Sequence, residues 1–372
     1  MSGGAQPNEG RWQNYVLHLD TELKEHWGER FAAGAKVCFI MGIGFDPRMC
    51  LGLECLREVA APEALQVKAI EFGGSADQVA EESAKRTRTR FEELITELDT
   101  EIVSVAGEGD VDRFARNAAG LFETLEQLTV TDIVVDVDAL PRSLFFPLIS
   151  KLLFLCDEAG VAAPNLHVFA GNAAWLDELI VGEGLDETAV WLYPYAGTFL
   201  SEADQHLPRI WIPILGEGDP LALQRIFELV APTETCPLLP FPSRNPRRGD
   251  ILFESYHGVL FDRLRTDSGT VIYADEGNPF QVYRRLREST LRYGKSLQEL
   301  GGCKVAFSSL SSKLVSLGAL LAAYELMGDP DHITGVAEVG TQTHRLLREV
   351  SIEEAQEKTE LAGLSLTGDC YR

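Results

Sequence analysis

One chain segment comes back. Lys36–Pro47 reads KVCFIMGIGFDP and Arg209–Pro220 reads RIWIPILGEGDP. Each is an apolar, strand-like run closed by Gly-x-Gly and Asp-Pro, and each is followed by a helical pattern. Three further pairs follow in the same order. LQVKAIEFGGSADQ from Leu65 parallels TCPLLPFPSRNPRR from Thr235, and EIVSVAGEGDVDRFARN from Glu101 parallels TVIYADEGNPFQVYRR from Thr270. DIVVDVDALPRSLFFPLISKLL from Asp132 parallels KVAFSSLSSKLVSLGALLAAYE from Lys304. Gly216 follows Gly42 by 174 positions, Phe241 follows Phe72 by 169, Glu276 follows Glu108 by 168 and Lys313 follows Arg142 by 171. Self-similarity at a near-constant period constrains the fold more than any local propensity. It predicts an α/β chain of two tandem Rossmann-like, doubly wound parallel-sheet units related by internal duplication.

Each unit alternates strand, loop and helix about four times, which specifies a mainly parallel sheet covered by helices on both faces. The strand runs (VCFIM, IVSVA, IVVDV; IWIPIL, VIYA, KVAFS) are continuously apolar, as that burial requires. NLHVFAG and AVWLYPY add strands after the first unit, ITGVAEVG closes the second, and Gly182–Thr188 reads as a surface loop. Arg11–Phe31 reads as an amphipathic helix. Ser351–Gly363 reads as a terminal helix with Ser351 as N-cap and Glu353 and Glu354 in its first turn. The expected divisions are therefore residues 1–31 (helical), 32–200 (first unit), 201–345 (second unit) and 346–372 (terminal helix and tail).

The 372 residues carry 33 Lys+Arg against 57 Asp+Glu, a formal net charge of −24. That balance argues against coating nucleic acid, where affinity rests on neutralising phosphates. The charge is uneven. Phe241–Lys313 holds 12 basic and 8 acidic residues, so it nets +4 while the rest nets −28. A local basic site on an acidic body suits a small anionic ligand. No run approaches the ~18–20 apolar residues of a membrane span, so no membrane partner and a cytoplasmic location are expected. Seven cysteines without a CxxC pair give no disulfide framework, and Cys50 and Cys55 lack the partners of a zinc site, so no metal is expected. No motif calls for a cofactor.

Ligands of open parallel sheets bind beyond the carboxyl ends of the strands. The first loops there are Gly42-Ile43-Gly44-Phe45-Asp46-Pro47-Arg48 and Gly216-Glu217-Gly218-Asp219-Pro220. Neither is GxGxxG, and no GxxxxGK[ST] exists, so dinucleotide and P-loop readings lack their motifs. The stronger candidate is Ser308-Ser309-Leu310-Ser311-Ser312-Lys313 between a strand and a helix. Hydroxyls, N–H groups and one ammonium at a helix start can cradle an anion, and Ser311 alternatively serves as a plain N-cap. The matching first-unit loop, Asp136-Val137-Asp138-Ala139-Leu140-Pro141-Arg142, is acidic and contributes Arg142 alone. Ser243, Arg244, Arg247 and Arg248 occupy the next loop of the second unit, where guanidinium forks suit phosphates. Asp275-Glu276-Gly277-Asn278-Pro279 completes the ring and is placed to meet ribose hydroxyls.

A strand, a small-residue Ser/Thr/Gly loop ending in Lys, and a small-residue helix resemble the CRISPR-associated Rossmann fold (CARF) and related nucleotide-sensing domains. The resemblance is centred on residues 304–326 and departs in having SerSerLeuSerSerLys where that family often carries Thr-Gly-Gly-Thr-Lys. It implies a nucleotide-type ligand or short oligonucleotide, dimerisation, and a protein partner in a prokaryotic defence or regulatory complex. On this reading the chain is a non-catalytic or weakly catalytic sensing subunit.

Two alternatives stand beside it. Asp136-x-Asp138 is similar to the acidic pair of haloacid dehalogenase-type phosphohydrolases, although Ala139-Leu140-Pro141 departs from the Thr or Gly expected next. The serine loop is similar to that of phosphosugar isomerase domains. An enzyme of either kind acts on a phosphorylated small molecule, with Asp138 and His257 as catalytic candidates. The other alternative is a structural scaffold whose acidic surface docks a basic partner.

Overall fold

The computed structural model describes residues 10–371 apart from 73–74, 106–110, 126–128, 198, 217, 265 and 330–331. The Gly107-Glu108-Gly109 anchor of the repeat, Glu217 and Arg265 fall outside the described residues. Two compact units emerge, and both are discontinuous in sequence. The N-terminal unit comprises Val16–Asp186 and Gly340–Arg372, and the C-terminal unit comprises Glu187–Val339 with residues 10–15. These divisions depart from the expected ones because β-pairing returns the last stretch of the chain to the N-terminal unit, while residues 10–15 belong to the C-terminal unit.

In chain order the N-terminal unit supplies β1 (Val16–Leu19), α1 (Asp20–Ala32), β2 (Val37–Ile43), α2 (Leu51–Arg57), β3 (Leu65–Phe72), β4 (Ser75–Ala76) and α3 (Gln78–Leu94). It continues with β5 (Asp99–Val105), α4 (Val111–Ala119), β6 (Asp132–Asp136), α5 (Arg142–Ala159), β7 (Asn165–Asn172), α6 (Ala174–Asp177) and β8 (Ile180–Leu185). The C-terminal unit holds β9 (Val190–Trp191), β10 (Arg209–Ile214), α7 (Pro220–Val230), β11 (Glu234–Thr235), β12 (Leu238–Pro240) and α8 (Arg248–His257). Then come β13 (Ile272–Ala274), α9 (Pro279–Ser296), β14 (Lys304–Ser309), α10 (Lys313–Met327) and β15 (Ile333–Glu338). The chain returns to the N-terminal unit with β16 (Thr341–Leu346), α11 (Ile352–Lys358) and β17 (Glu360–Ser365).

Among the described residues, the N-terminal sheet runs β1-β17-β7-β6-β2-β3-β5 and the C-terminal sheet runs β13-β12-β10-β14-β15-β9. The five strands from β7 to β5 are parallel, as are the five from β13 to β15. Counted in chain order within each unit, both parallel cores read 3-2-1-4-5, the Rossmann order. The fold is α/β with two Rossmann-like parallel sheets. The four paired sequence runs fall on strands one to four of their sheets, with β2 and β10 central in each. β2 is buried almost throughout, and its unbroken apolar run reflects helices on both faces.

Three local expectations differ from the structure. Val16–Leu19, expected as helix, is a strand that pairs antiparallel with β17. Ser351 caps α11 by accepting from Glu354 N, but the helix stops at Lys358 and Glu360–Ser365 becomes a strand beside β7. Gly182–Thr188 is not all loop, because β8 pairs with β16. In each case a partner distant in sequence decides, which a local propensity does not register. Residues 10–15 pack in the C-terminal unit, where Tyr15 stacks on Phe280 at 4.6 Å and Trp12 meets Tyr283 edge-on at 5.3 Å.

Candidate functional site

Parallel strands place all their following loops at one end of the sheet, so each unit has one candidate face. In both, that face is closed at the point where the strand order reverses. A Cβ on Gly42 would lie 2.7 Å from Leu140 Cδ2 and 3.1 Å from the Ala139 carbonyl carbon. A Cβ on Gly216 would lie 2.4 Å from Ser311 Cα, and one on Gly218 would lie 2.7 Å from Leu310 Cβ. These glycines let the loops after strands one and four touch each other, rather than let a pyrophosphate approach.

In the N-terminal unit the first loop is consumed internally. Buried Arg48 forms a planar fork on Asp46, Nε to Oδ1 at 3.0 Å and Nη2 to Oδ2 at 2.8 Å. Its Nη1 reaches Asp177 Oδ1 at 2.9 Å and the Gly171 carbonyl at 3.3 Å. Burial works against the charged guanidinium, yet Asp46 and Asp177 hold its pKa well above the ordinary arginine value. Asp138 Oδ1 accepts from Gly171 N at 2.7 Å, and Asp136 Oδ1 accepts from Asp138 N at 2.9 Å. From above, Thr87 and Ser83 of α3 donate to the carbonyls of Gly44 and Phe45, each at 2.7 Å. Gly42, Asp46, Arg48 and Asp138 are buried, while Gly44 and Arg142 are partly exposed. The structure thus brings Asp46, Arg48 and Asp138 together, as an internal ion-pair network.

The serine loop of the C-terminal unit is likewise bonded inward. Ser308 Oγ accepts from Trp211 Nε1 at 3.0 Å, and both residues are fully buried. Ser309 and Ser316 share a hydrogen bond of 2.8 Å. Ser312, not Ser311, caps α10, accepting from Val315 N at 3.3 Å. Ser311 is buried and Lys313, first residue of α10, is partly exposed. Tyr256 holds the first loop by donating to Gly218 O at 2.6 Å, with Gly216 O at 3.2 Å from the same hydroxyl.

The arginine loop divides in two. Arg248 is buried against Glu276, Nε to Oε1 at 2.6 Å. Arg244 and Arg247 are exposed. Two side chains shape the loop that carries them: Ser243 Oγ accepts from Asn245 N at 3.2 Å, and Asn245 Oδ1 accepts from Arg247 N at 3.0 Å. Beside them Phe241 and Tyr273, 55% and 51% exposed, pack edge-on at 6.1 Å. The Asp275–Pro279 loop is structural: Asn278 caps α9, and its Nδ2 donates to Tyr15 at 2.6 Å. His257 ends α8, exposed, with its ring 5.1 Å from Phe261 and 6.0 Å from Phe253.

No family model and no curated protein matches the chain. Solved structures give only faint likenesses. A putative universal stress protein from Pseudomonas aeruginosa UCBPP-PA14 is 10% identical over 87% of this chain and 97% of its own, with a TM-score of 0.22. The cytoplasmic domain of a prokaryotic cation chloride cotransporter is 13% identical over 83% and 96%, at 0.23. A universal stress protein from Archaeoglobus fulgidus DSM 4304 is 10% identical over 81% and 94%, at 0.22. These values are too low to carry any conclusion about ligand or activity.

Asp177 and Trp211 are residues that sequence reasoning missed, each the partner of a residue that was singled out and far from it in sequence. Glu276 was expected to meet a ribose and instead pairs with Arg248. Among the described residues, no helix is long and apolar enough to cross a membrane, and no group of three or more His, Cys, Asp or Glu is arranged to hold a metal ion.

Proposed function

We propose that the C-terminal unit is a binding module for a small anionic, nucleotide-type ligand at the carboxyl end of its sheet, and that the protein acts as a sensing rather than a catalytic subunit. The supporting observation is the set Arg244, Arg247 and Lys313. Because β10, β12 and β14 are parallel, the loops carrying these three cations lie at the same sheet end. Lys313 opens α10, the helix end where a cation is disfavoured by about 0.3–1 kcal/mol. A bound anion there would relieve that cost. The exposed Phe241 and Tyr273 rings give a base a surface to stack on, which favours a nucleotide over a phosphosugar. The common strand order supports an internal duplication, after which one unit kept an open cationic loop and the other closed its own around Arg48.

The test is calorimetric titration with mononucleotides, short cyclic and linear oligonucleotides, phosphosugars and inorganic phosphate, with product analysis of the same samples. Saturable nucleotide binding without turnover supports the reading. Turnover of a phosphorylated substrate would favour the enzyme instead. If no anion binds and Lys313→Ala behaves as wild type, only a scaffold that docks a basic partner is left.

A further inference from the structure

The outermost strand of the N-terminal sheet is lightly held. Among the described residues β1 pairs on one side alone, with β17, over four residues that are all partly exposed. The next residue, Asp20, has a φ of +41°, in the left-handed region that residues with a Cβ avoid. Its own side chain keeps it there, Oδ1 accepting from Leu361 N of β17 at 2.7 Å. A short edge strand that ends in a strained junction opens at lower cost than the sheet behind it.

Three imidazoles meet beside this strand. His18 of β1 stacks on His26 of α1 at 4.3 Å, with the ring planes 21° apart. His26 lies 6.5 Å from His167 of β7, and among the described residues its buried Nε2 has no hydrogen-bond partner. Arg30 of α1 adds a cation, and β17 brings the Ser365 hydroxyl, 3.1 Å from His167 Nδ1. The Cys370 thiol of the final turn is kept neutral by burial. Asp132 of β6 is the facing carboxylate, already bound by Arg30 Nη2 at 2.6 Å and by His167 Nε2 at 3.1 Å. A proton on His26 therefore sits beside a cation and two imidazoles, with the nearby carboxylate engaged elsewhere.

We propose that β1 is an acid-released edge strand, which lifts off β17 at Asp20 when His26 takes up a proton and parts the His18–His26 stack. Release opens His26 to water, relaxes Asp20 and uncovers the outer edge of Glu360–Ser365. The parallel ladders from β7 to β5 are made without β1 and stay closed. Burial, then His18, His167 and Arg30, lower the His26 pKa to about 4 in the docked form. Docking is thus fully stable above the ordinary histidine value near 6.5 and weakens as pH falls toward 4.

The test is amide hydrogen exchange of the full chain at pH 7 and pH 5, read as protection factors so that the intrinsic pH dependence divides out. Amides of Val16–Leu19 should be less protected than those of β2 by roughly tenfold or more at both pH values, the mark of an opening smaller than global unfolding. Their protection should fall by a further factor of about ten at pH 5. His26→Phe keeps a ring in place but takes no proton, and should abolish that fall. His18→Phe keeps the stack without the second imidazole and should reduce it; if His26→Phe does not fold, His18→Phe decides alone. Protection of Val16–Leu19 equal to that of β2 overturns the proposal, as does no fall at pH 5. So does an undiminished fall in the folded variants.

Discussion

Trp211 Nε1 donates to Ser308 Oγ across 3.0 Å inside the C-terminal sheet. Neighbouring strands β10 and β14 supply the two residues, so the bond crosslinks the central pair. Ser308→Ala leaves the indole N–H buried and unsatisfied, a loss of about 1–3 kcal/mol. Urea unfolding should show a lower midpoint with unchanged slope. Nucleotide affinity in the folded variant should match wild type, since Ser308 is fully buried.

Arg48 and Asp177 make the equivalent test in the N-terminal unit. Removing one partner of a buried ion pair strands the other charge, which typically costs about 3–5 kcal/mol. Arg48→Met takes the guanidinium away from both Asp46 and Asp177 and should be the most damaging change at this loop. Asp177→Asn should be milder, because Asp46 keeps the two-bond fork. Denaturant titration of both variants ranks them.

Acid should weaken the N-terminal unit in two steps. His26 stacks on His18 at 4.3 Å and lies 6.5 Å from His167, and its buried Nε2 has no hydrogen-bond partner. Burial, then the neighbouring histidines His18 and His167 and the cation Arg30, lower its pKa to about 4 despite Asp132. A folded pKa below the unfolded value near 6.5 means stability is fully present above 6.5 and is lost as pH falls toward 4. His26 is partly open to solvent, so screening reduces the loss to about 1–2 kcal/mol. Asp132 acts lower. Burial opposes its charge, but bonds from His167, Thr131 and Asn165 bring its pKa below the carboxylate value of 3.8. Unfolding free energies at pH 7, 5 and 4 should fall less in His26→Gln than in wild type, and the difference should vanish above pH 7.

Gly216→Ala forces a methyl against Ser311 Cα and the Leu310 carbonyl. Backbone cannot yield as a side chain does, so a loss of about 1–3 kcal/mol is expected. Gly197→Ala meets nothing within 4 Å and should stay within about 0.5 kcal/mol. Thermal melts of the pair decide whether the loop contact or glycine content matters.

Loss of binding should track exposed charge. Lys313→Ala and Arg244→Ala/Arg247→Ala each remove charged hydrogen bonds of roughly 1.5–3 kcal/mol, about 10- to 150-fold in Kd. Raising the salt concentration should weaken the wild type toward these variants, because exposed pairs are screened. Calorimetry at two ionic strengths checks both.

What the sequence discloses here is what repeats or alternates. The paired runs around Gly42 and Gly216 locate the central strands, and the apolar runs locate their neighbours. Strand Glu360–Ser365 was hidden because its pairing with β7 spans nearly two hundred residues. The candidate loops were placed at the correct end of each sheet, but the use of their side chains was not legible. A serine that bonds an indole on the next strand and a serine that bonds a phosphate look alike in one dimension. Arg48 and Arg244 also look alike until Asp177 arrives from the end of α6.

The position of β17 between β1 and β7 carries a consequence for how the protein is made. Val16–Leu19 leaves the ribosome before the C-terminal unit, yet its pairing partner Glu360–Ser365 is synthesised only after the whole of that unit. Until then β1 has no neighbour, and the outer edge of β7 stays open to any extended chain. Birth order and assembly order therefore run in opposite directions, and the sheet begun first is the last to close.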